Sequence, residues 1–127
     1  MSRLNDAMTA SASGLSAQSA RLRLTAENIA NVDTPGYRAK GVSFEVMAGD
    51  IGGVRLGNVD MSSAAPTRVH NPAHPLAGPD GYYDGSNVNV MIEMADAQEA
   101  QRSYDANLRL FDQARQMSSS LMDLLRR

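Results

Sequence analysis

The chain of 127 residues carries a net charge of −2 and contains neither cysteine nor tryptophan. That balance excludes the basic face on which nucleic-acid binding rests. The lack of cysteine excludes a disulfide framework, a thiolate zinc site and a thiol nucleophile. With 43% hydrophobic but only 5% aromatic residues, the chain is one domain's worth and packs small or flexible side chains.

All five prolines and nine of the ten glycines lie between Val32 and Ser86. The two ends therefore read as helices. Residues 4–31 form the first: Met8, Leu15, Leu22 and Ile29 recur every seven positions, and Leu4, Ala12 and Ala26 broaden the stripe. Heptad phase argues for packing along another helix. Serine and glutamine keep that stripe narrow, so the helix needs a partner to be stable. Asn28 and Asn31 are poor helix formers within one turn. The pattern places Asn31 as the C-terminal cap and leaves Asn28 to hydrogen-bond the following loop or a neighbouring chain. Pro35 ends the helix, and Pro35-Gly36 occupy the centre of a type II turn over Thr34–Tyr37.

In the middle of the chain, Val42, Phe44 and Val46 alternate with polar residues and predict a half-buried strand. Residues 49–53 turn the chain, and Val54-Arg55-Leu56 return it as a hairpin. The run from 62 to 80 is polar and punctuated by prolines, Asp80-Gly81 offers a turn and Tyr82-Tyr83 a short strand, so the section is expected as a small β-rich knob or as a loop ordered only by its neighbours. The last helix starts after Asn89 as N-cap and runs almost to Arg127. Its stripe reads Val90, Met94, Ala97, Tyr104, Leu108 and Phe111, then drifts to Leu110, Ala114, Met117, Leu121 and Leu124. Glu93, Asp96 and Glu99 near its start and Arg126-Arg127 at its end suit the helix dipole. Asp105/Arg109 and Asp112/Arg115 are expected surface pairs.

No constellation for chemistry emerges. His70 and His74 have the i,i+4 spacing of zinc ligands on a helix, but Pro72 and Pro75 break any helix there, so both read as solvated loop residues. The serines lack a base, the carboxylate pairs fall on an exposed helix face, and the glycines of 49–57 do not open a helix as a phosphate loop must. The expectation is a non-enzyme with no cofactor, metal or small-molecule substrate. There is neither a run of roughly 18 apolar residues nor a basic-then-apolar start, so no membrane span and no cleavable signal are expected.

Ala26-Glu27-Asn28-Ile29-Ala30-Asn31-Val32-Asp33-Thr34-Pro35-Gly36-Tyr37-Arg38 resembles the N-terminal signature of the bacterial flagellar rod, hook and hook-associated proteins, and residues 12–22 match the same region. Ser86–Met94 and Gln101–Asn107 are similar to that family's C-terminal motif. Length separates its members: hook and distal-rod proteins carry large inserted domains, for which this chain has no room. The stretch from His70 to Tyr83, with Asn87-Val88-Asn89 after it, most resembles the short proximal-rod subunit. Asn89 stands where an aspartate is common, and Thr34-Pro35-Gly36 where several such subunits carry a longer insert.

The resemblance implies a mainly α fold with two long terminal helices packed as an antiparallel coiled-coil-like pair. Residues 1–36 and 86–127 would form an axial core domain and 37–85 a small β-rich insert. It implies a structural drive-shaft subunit, exported without processing by the flagellar type III apparatus and assembled in the periplasm on the membrane-ring base. Its partners would be copies of itself and neighbouring rod proteins. Subunit packing would fall to Met8, Leu15, Leu22, Asn28, Ile29, Asn31, Pro35, Gly36, Tyr37, Tyr104, Leu108, Phe111 and Leu121. Two other readings stay open: another short rod subunit of the family, or a soluble helical adaptor or chaperone using the C-terminal stripe.

Overall fold

The computed structural model describes residues 2–49 and 51–126. Two helices, α1 (Ser2–Ala30) and α2 (Val90–Leu125), enclose four strands: β1 (Lys40–Val46), β2 (Val54–Met61), β3 (Arg68–His70) and β4 (Tyr82–Asp84). The mainly α fold with a β middle is as expected. Asn89 caps α2, its side chain accepting from the N–H groups of Met91 and Ile92 and satisfying two donors that a helix start leaves unpaired.

The helices run antiparallel. Gly14 meets Asn107, Arg21 reaches Asp96 and Glu99, and Asn28 reaches Glu93. Contacts on α1 thus advance by seven as those on α2 retreat by about seven, the period of a coiled-coil seam. The seam is not the expected one. On α1 the buried positions include Ser11, Gly14, Ala17, Ala20, Thr25 and Asn28, while Met8, Leu15, Leu22 and Ile29 are only half-buried beside them. The reason is steric: small residues bring two backbones closer than leucines can. A Cβ on Gly14 would stand 2.7 Å from the Asn107 side chain. On α2 the buried positions are Glu93, Ala100 and Ala114, with Ala100 at 0% exposure.

The N-terminal helix has 29 residues and the C-terminal one 36. In this register the last turn and a half of α2 projects past the start of α1. Leu121, Met122, Leu124 and Leu125 are exposed there, Leu125 at 74%. The described chain exposes 8619 Å², whereas a compact monomer of its mass exposes about 6,600 Å². The molecule is elongated.

Strands β1 and β2 form the expected antiparallel hairpin, longer than the sequence suggested and with an irregularity between Val42 and Phe44. The alternation holds at Val42 and Phe44, half-buried while Gly41, Ser43 and Glu45 face out, but fails at the strand's end, where Val46 is 82% exposed. The hairpin lies along α1. Its base is tied at Asn28, and at its tip the Val54 N–H donates to Ser13 Oγ. The expected turn at 49–53 includes Asp50, which lies outside the described residues; Gly49, Gly52 and Gly53 all have positive φ.

Of the two expected forms of the section after Met61 the chain takes the knob, because β3 pairs with β4 through Arg68↔Asp84, Val69↔Tyr83 and His70↔Tyr82. His70 packs on Tyr82 at 4.7 Å between ring centroids, and His74 stacks on Tyr83 at 3.9 Å. Both histidines are thus aromatic packing partners in a small knob, not merely solvated loop residues. Among the described residues no group of three or more His, Asp or Glu side chains could hold a metal ion. No described helix is long and apolar enough to cross a membrane.

Candidate assembly site at the helix corner

Where α1 ends and α2 begins, one side chain joins four parts of the chain. Asn28 is wholly buried. Its Nδ2 donates to the Lys40 carbonyl (2.8 Å) and to Glu93 Oε2 (3.0 Å). Its Oδ1 accepts from the Tyr37 hydroxyl (2.8 Å) and the Lys40 N–H (2.9 Å). A carboxamide has two donors and two acceptor sites, and all four are filled. Helix α1, the corner, β1 and α2 are therefore held by one saturated group. No other residue type of that size presents two donors and two acceptor sites together, which explains a poor helix former in the last turn of α1.

Around it the corner closes in order. Asn31 caps α1: its N–H and its Nδ2 both donate to the Glu27 carbonyl, and its Oδ1 accepts from the Thr34 hydroxyl. The type II turn forms as expected, with the Tyr37 N–H donating to the Thr34 carbonyl at 3.1 Å. Gly36 has φ +75°, which an L side chain resists.

The segment before α2 then zips onto this turn. The Gly36 N–H donates to the Gly85 carbonyl and the Asn87 N–H to the Tyr37 carbonyl, while Ser86 Oγ donates to the Val32 carbonyl. Asn87 Oδ1 accepts from the Ala39 N–H at 2.6 Å, and its Nδ2 donates to the carbonyls of Ser62 and Ala64.

Electrostatics reinforce the closure. Burial, and next the charge of Glu27, push the Tyr37 phenol above its ordinary 10.0. The hydrogen bond to Glu27 at 2.6 Å pushes the Lys40 ammonium above 10.5. Glu93 is only 9% exposed and lies one turn into α2, where the helix dipole favours an anion. Sequence reasoning gave Glu93 that dipole role but missed that it is buried against Asn28. It also missed Asn87, Ser13 and the Gly14–Asn107 approach. Asp96 and Glu99, expected as salt-bridged surface on an exposed helix face, pair with Arg21 across the helix seam.

The residues expected to pack subunits divide into two groups. Asn28, Asn31, Pro35, Gly36 and Tyr37 come together at this corner. Met8, Leu15, Leu22, Ile29, Tyr104 and Phe111 are half-buried along the helix pair, and Leu108 and Leu121 are exposed on α2.

Residues 8–38 match the model of the flagella basal body rod protein family, and residues 80–124 that of the flagellar basal body rod FlgEFG protein C-terminal region. The first match takes in most of α1 and the corner, the second β4 and nearly all of α2. Over its whole length the chain is similar to the flagellar basal-body rod protein FlgC of Agrobacterium fabrum (strain C58), with 40% identity over 99% of this chain and 98% of the relative.

The chain belongs to the flagellar basal-body rod proteins.

The FlgC protein of Salmonella typhimurium (strain LT2) is 38% identical over 88% of this chain and 90% of its own. That of Buchnera aphidicola (subsp. Acyrthosiphon pisum, strain APS) is 33% identical over 83% of this chain and 85% of its own. Neither family model reaches residues 39–79 of this rod protein, the span that carries the hairpin and most of the aromatic knob. The family signature is thus the helix pair with its polar corner.

Proposed function

We propose that this rod protein is a structural subunit of the proximal rod of the flagellar basal body, polymerising through its terminal helices to transmit torque. The observation that carries this reading is the unburied apolar surface of α2. Met91, Ile92 and Met94 at its start and Leu110, Met117, Leu121, Met122, Leu124 and Leu125 toward its end are exposed on a helix otherwise paired with α1. Exposed apolar area on this scale marks an interaction surface.

Residues 1–36 and 86–127 act as the axial core and 37–85 as a lateral insert. The subunit leaves the cytoplasm unprocessed through the flagellar export apparatus and joins copies of itself and neighbouring rod proteins in the periplasm, on the membrane-ring base. Contacts that do not close on themselves generate a filament, and a shaft is such an assembly. Leu15, Leu22, Ile29, Tyr104, Leu108, Phe111 and Leu121 pack against neighbours, while the corner fixes the angle at which the insert leaves the core. No step of this role calls on catalysis, a cofactor or nucleic acid.

Deleting the gene and imaging the cell envelope by electron microscopy, alongside a swimming assay, tests this. Rod, hook and filament should vanish while the membrane ring persists, and the wild-type chain should restore them. Normal flagella in the deletion strain would remove the rod assignment and favour an adaptor role instead.

A further inference from the structure

The hairpin is a sheet of two strands, so each strand keeps one unpaired edge, and register decides which backbone groups lie on it. At the base of the hairpin the Ser62 N–H donates to the Ala39 carbonyl, and at its tip the Met47 N–H donates to the Gly53 carbonyl. Antiparallel partners alternate between bonded and non-bonded pairs. Lys40, Val42, Phe44 and Val46 therefore turn their N–H and C=O groups away from β2. The extra residue at the irregularity sits on β2, where the step from Val59 to Leu56 is one residue longer than that from Val42 to Phe44. Strand β1 keeps its alternation.

The first of these edge residues is already paired, and by a side chain. The Lys40 N–H donates to Asn28 Oδ1, and the Lys40 carbonyl accepts from Asn28 Nδ2. The Asn28 carboxamide thus occupies the place of a peptide group in a third strand. Beyond it the edge is open: among the described residues no hydrogen bond reaches the outward groups of Val42, Phe44 or Val46. From Val42 to Phe44 that edge borders an open groove of about 1130 Å³, whose other walls include Leu24 and Thr25 of α1 and Ile92 and Glu93 of α2.

We infer that this groove takes an extended, basic segment of a different protein, which adds a third strand to the edge of β1 beyond Asn28. The inference does not depend on the assembly role proposed above.

Three observations define the occupant. The first is the backbone. The edge offers main-chain donors and acceptors, which a helix cannot meet because its own groups are bonded internally. An extended chain meets them by strand addition.

The second is charge. Arg21 and Lys40 on the groove wall are engaged by Asp96, Glu99 and Glu27 of their own chain. Asp60 and Glu93 line the same groove and stand outside every ion pair among the described residues. Only Oε2 of Glu93 is hydrogen-bonded, to Asn28. The surplus is negative, so the incoming strand carries lysine or arginine.

The third is the lack of a matching segment in this chain. Its strands are paired and its ends helical. Outside the corner, no connecting stretch contains lysine or arginine. A second copy has nothing of this chemistry to offer.

The test is NMR of the isotope-labelled full chain, with a short capped peptide of alternating valine and lysine as the probe. The amides of Val42, Phe44 and Val46 should exchange freely in the chain alone and slow by about tenfold or more with the probe. Those of Gly41 and Glu45, already bonded to β2, should hardly change. This every-other-residue pattern separates strand addition from apolar contact. Val42→Pro removes an outward N–H that the β1–β2 ladder does not use, and proline is tolerated at such an edge position. It should leave the cross-strand amides protected and abolish the effect of the probe. A probe N-methylated on the residues that face β1 should fail on the unaltered chain, which removes any dependence on how the variant folds. A valine–glutamate probe should bind at least about tenfold more weakly.

Equal protection by the N-methylated or the glutamate probe overturns the inference. So does no protection by the lysine probe at millimolar concentration. Protection that grows with the concentration of the chain alone would make a second copy the occupant, and overturns it as well.

Discussion

The two ends of the helix pair are built on opposite principles. At the corner end almost every polar group is satisfied within the chain: Asn28 alone holds Tyr37, Lys40 and Glu93. At the far end α2 runs past its partner and leaves four large apolar side chains in water. The polar groups of the corner are completed by its own sequence, while the apolar side chains of the projecting end lack a surface to cover them. If the assembly role proposed above holds, stability and assembly separate: changes at the corner act on the monomer and changes at the tail on its contacts with neighbours.

The largest expected effect is at the corner. Asn28→Leu strands a buried Glu93 carboxylate, the Tyr37 hydroxyl and both backbone groups of Lys40. Removing one partner of a buried charge costs about 3–5 kcal/mol. Urea unfolding should show a midpoint lowered accordingly, with an unchanged slope; a loss below about 1 kcal/mol would mean that water replaces the amide.

Next comes the close approach of the helices. Gly14→Leu drives a side chain into Asn107 and should destabilise by about 1–3 kcal/mol. Gly14→Ala meets only the tip of the Asn107 side chain and gains up to about 1 kcal/mol of helix propensity, so it should lie near wild type.

Smaller still, Arg21→Gln removes a partly exposed cross-helix ion pair with Asp96 and Glu99. It should cost about 0.2–1 kcal/mol, less in high salt. At the tail, Leu124→Ser should change monomer stability by less than about 0.5 kcal/mol yet abolish swimming. Equal effects on both readouts would erase the contrast between the two ends.

The corner also sets the response to alkali. Lys40 and Tyr37 both have folded values raised above 10.5 and 10.0, so each binds its proton more tightly in the folded chain. Their contributions are fully present below those ordinary values and are lost as pH rises through the elevated ones. Unfolding should become easier above about pH 10. In Tyr37→Phe the tyrosine share of that dependence should disappear, as should the most delayed part of the tyrosinate absorbance titration.

Much of this was legible in the sequence because local chemistry decided it. Asn89 caps α2, Pro35-Gly36 make the turn, and the alternation of Val42 and Phe44 builds β1. The seam was not, because hydropathy registers large apolar side chains and is blind to close approach. Ser11, Gly14 and Ala17 are buried for their small size, whereas the leucine heptad at 15 and 22 stands beside them. Strand β3 escaped notice for another reason. Three residues between Pro66 and Pro72 carry no periodicity, and their order comes from pairing with Tyr82–Asp84. Asn28 was half legible: its poor helix propensity signalled a task, but that Glu93 would meet it 65 positions later could not be read from either residue alone.

A seam of glycine, alanine and serine has few knobs to fit particular holes, so by itself it would tolerate sliding. The Asn28–Glu93 bond removes that freedom, as a buried polar contact can fix the register of paired helices. A slip of one heptad would lengthen or shorten the projecting end of α2 by about 10 Å. The amide at the corner thus acts as a gauge stop, setting at one end of the molecule how far the other reaches.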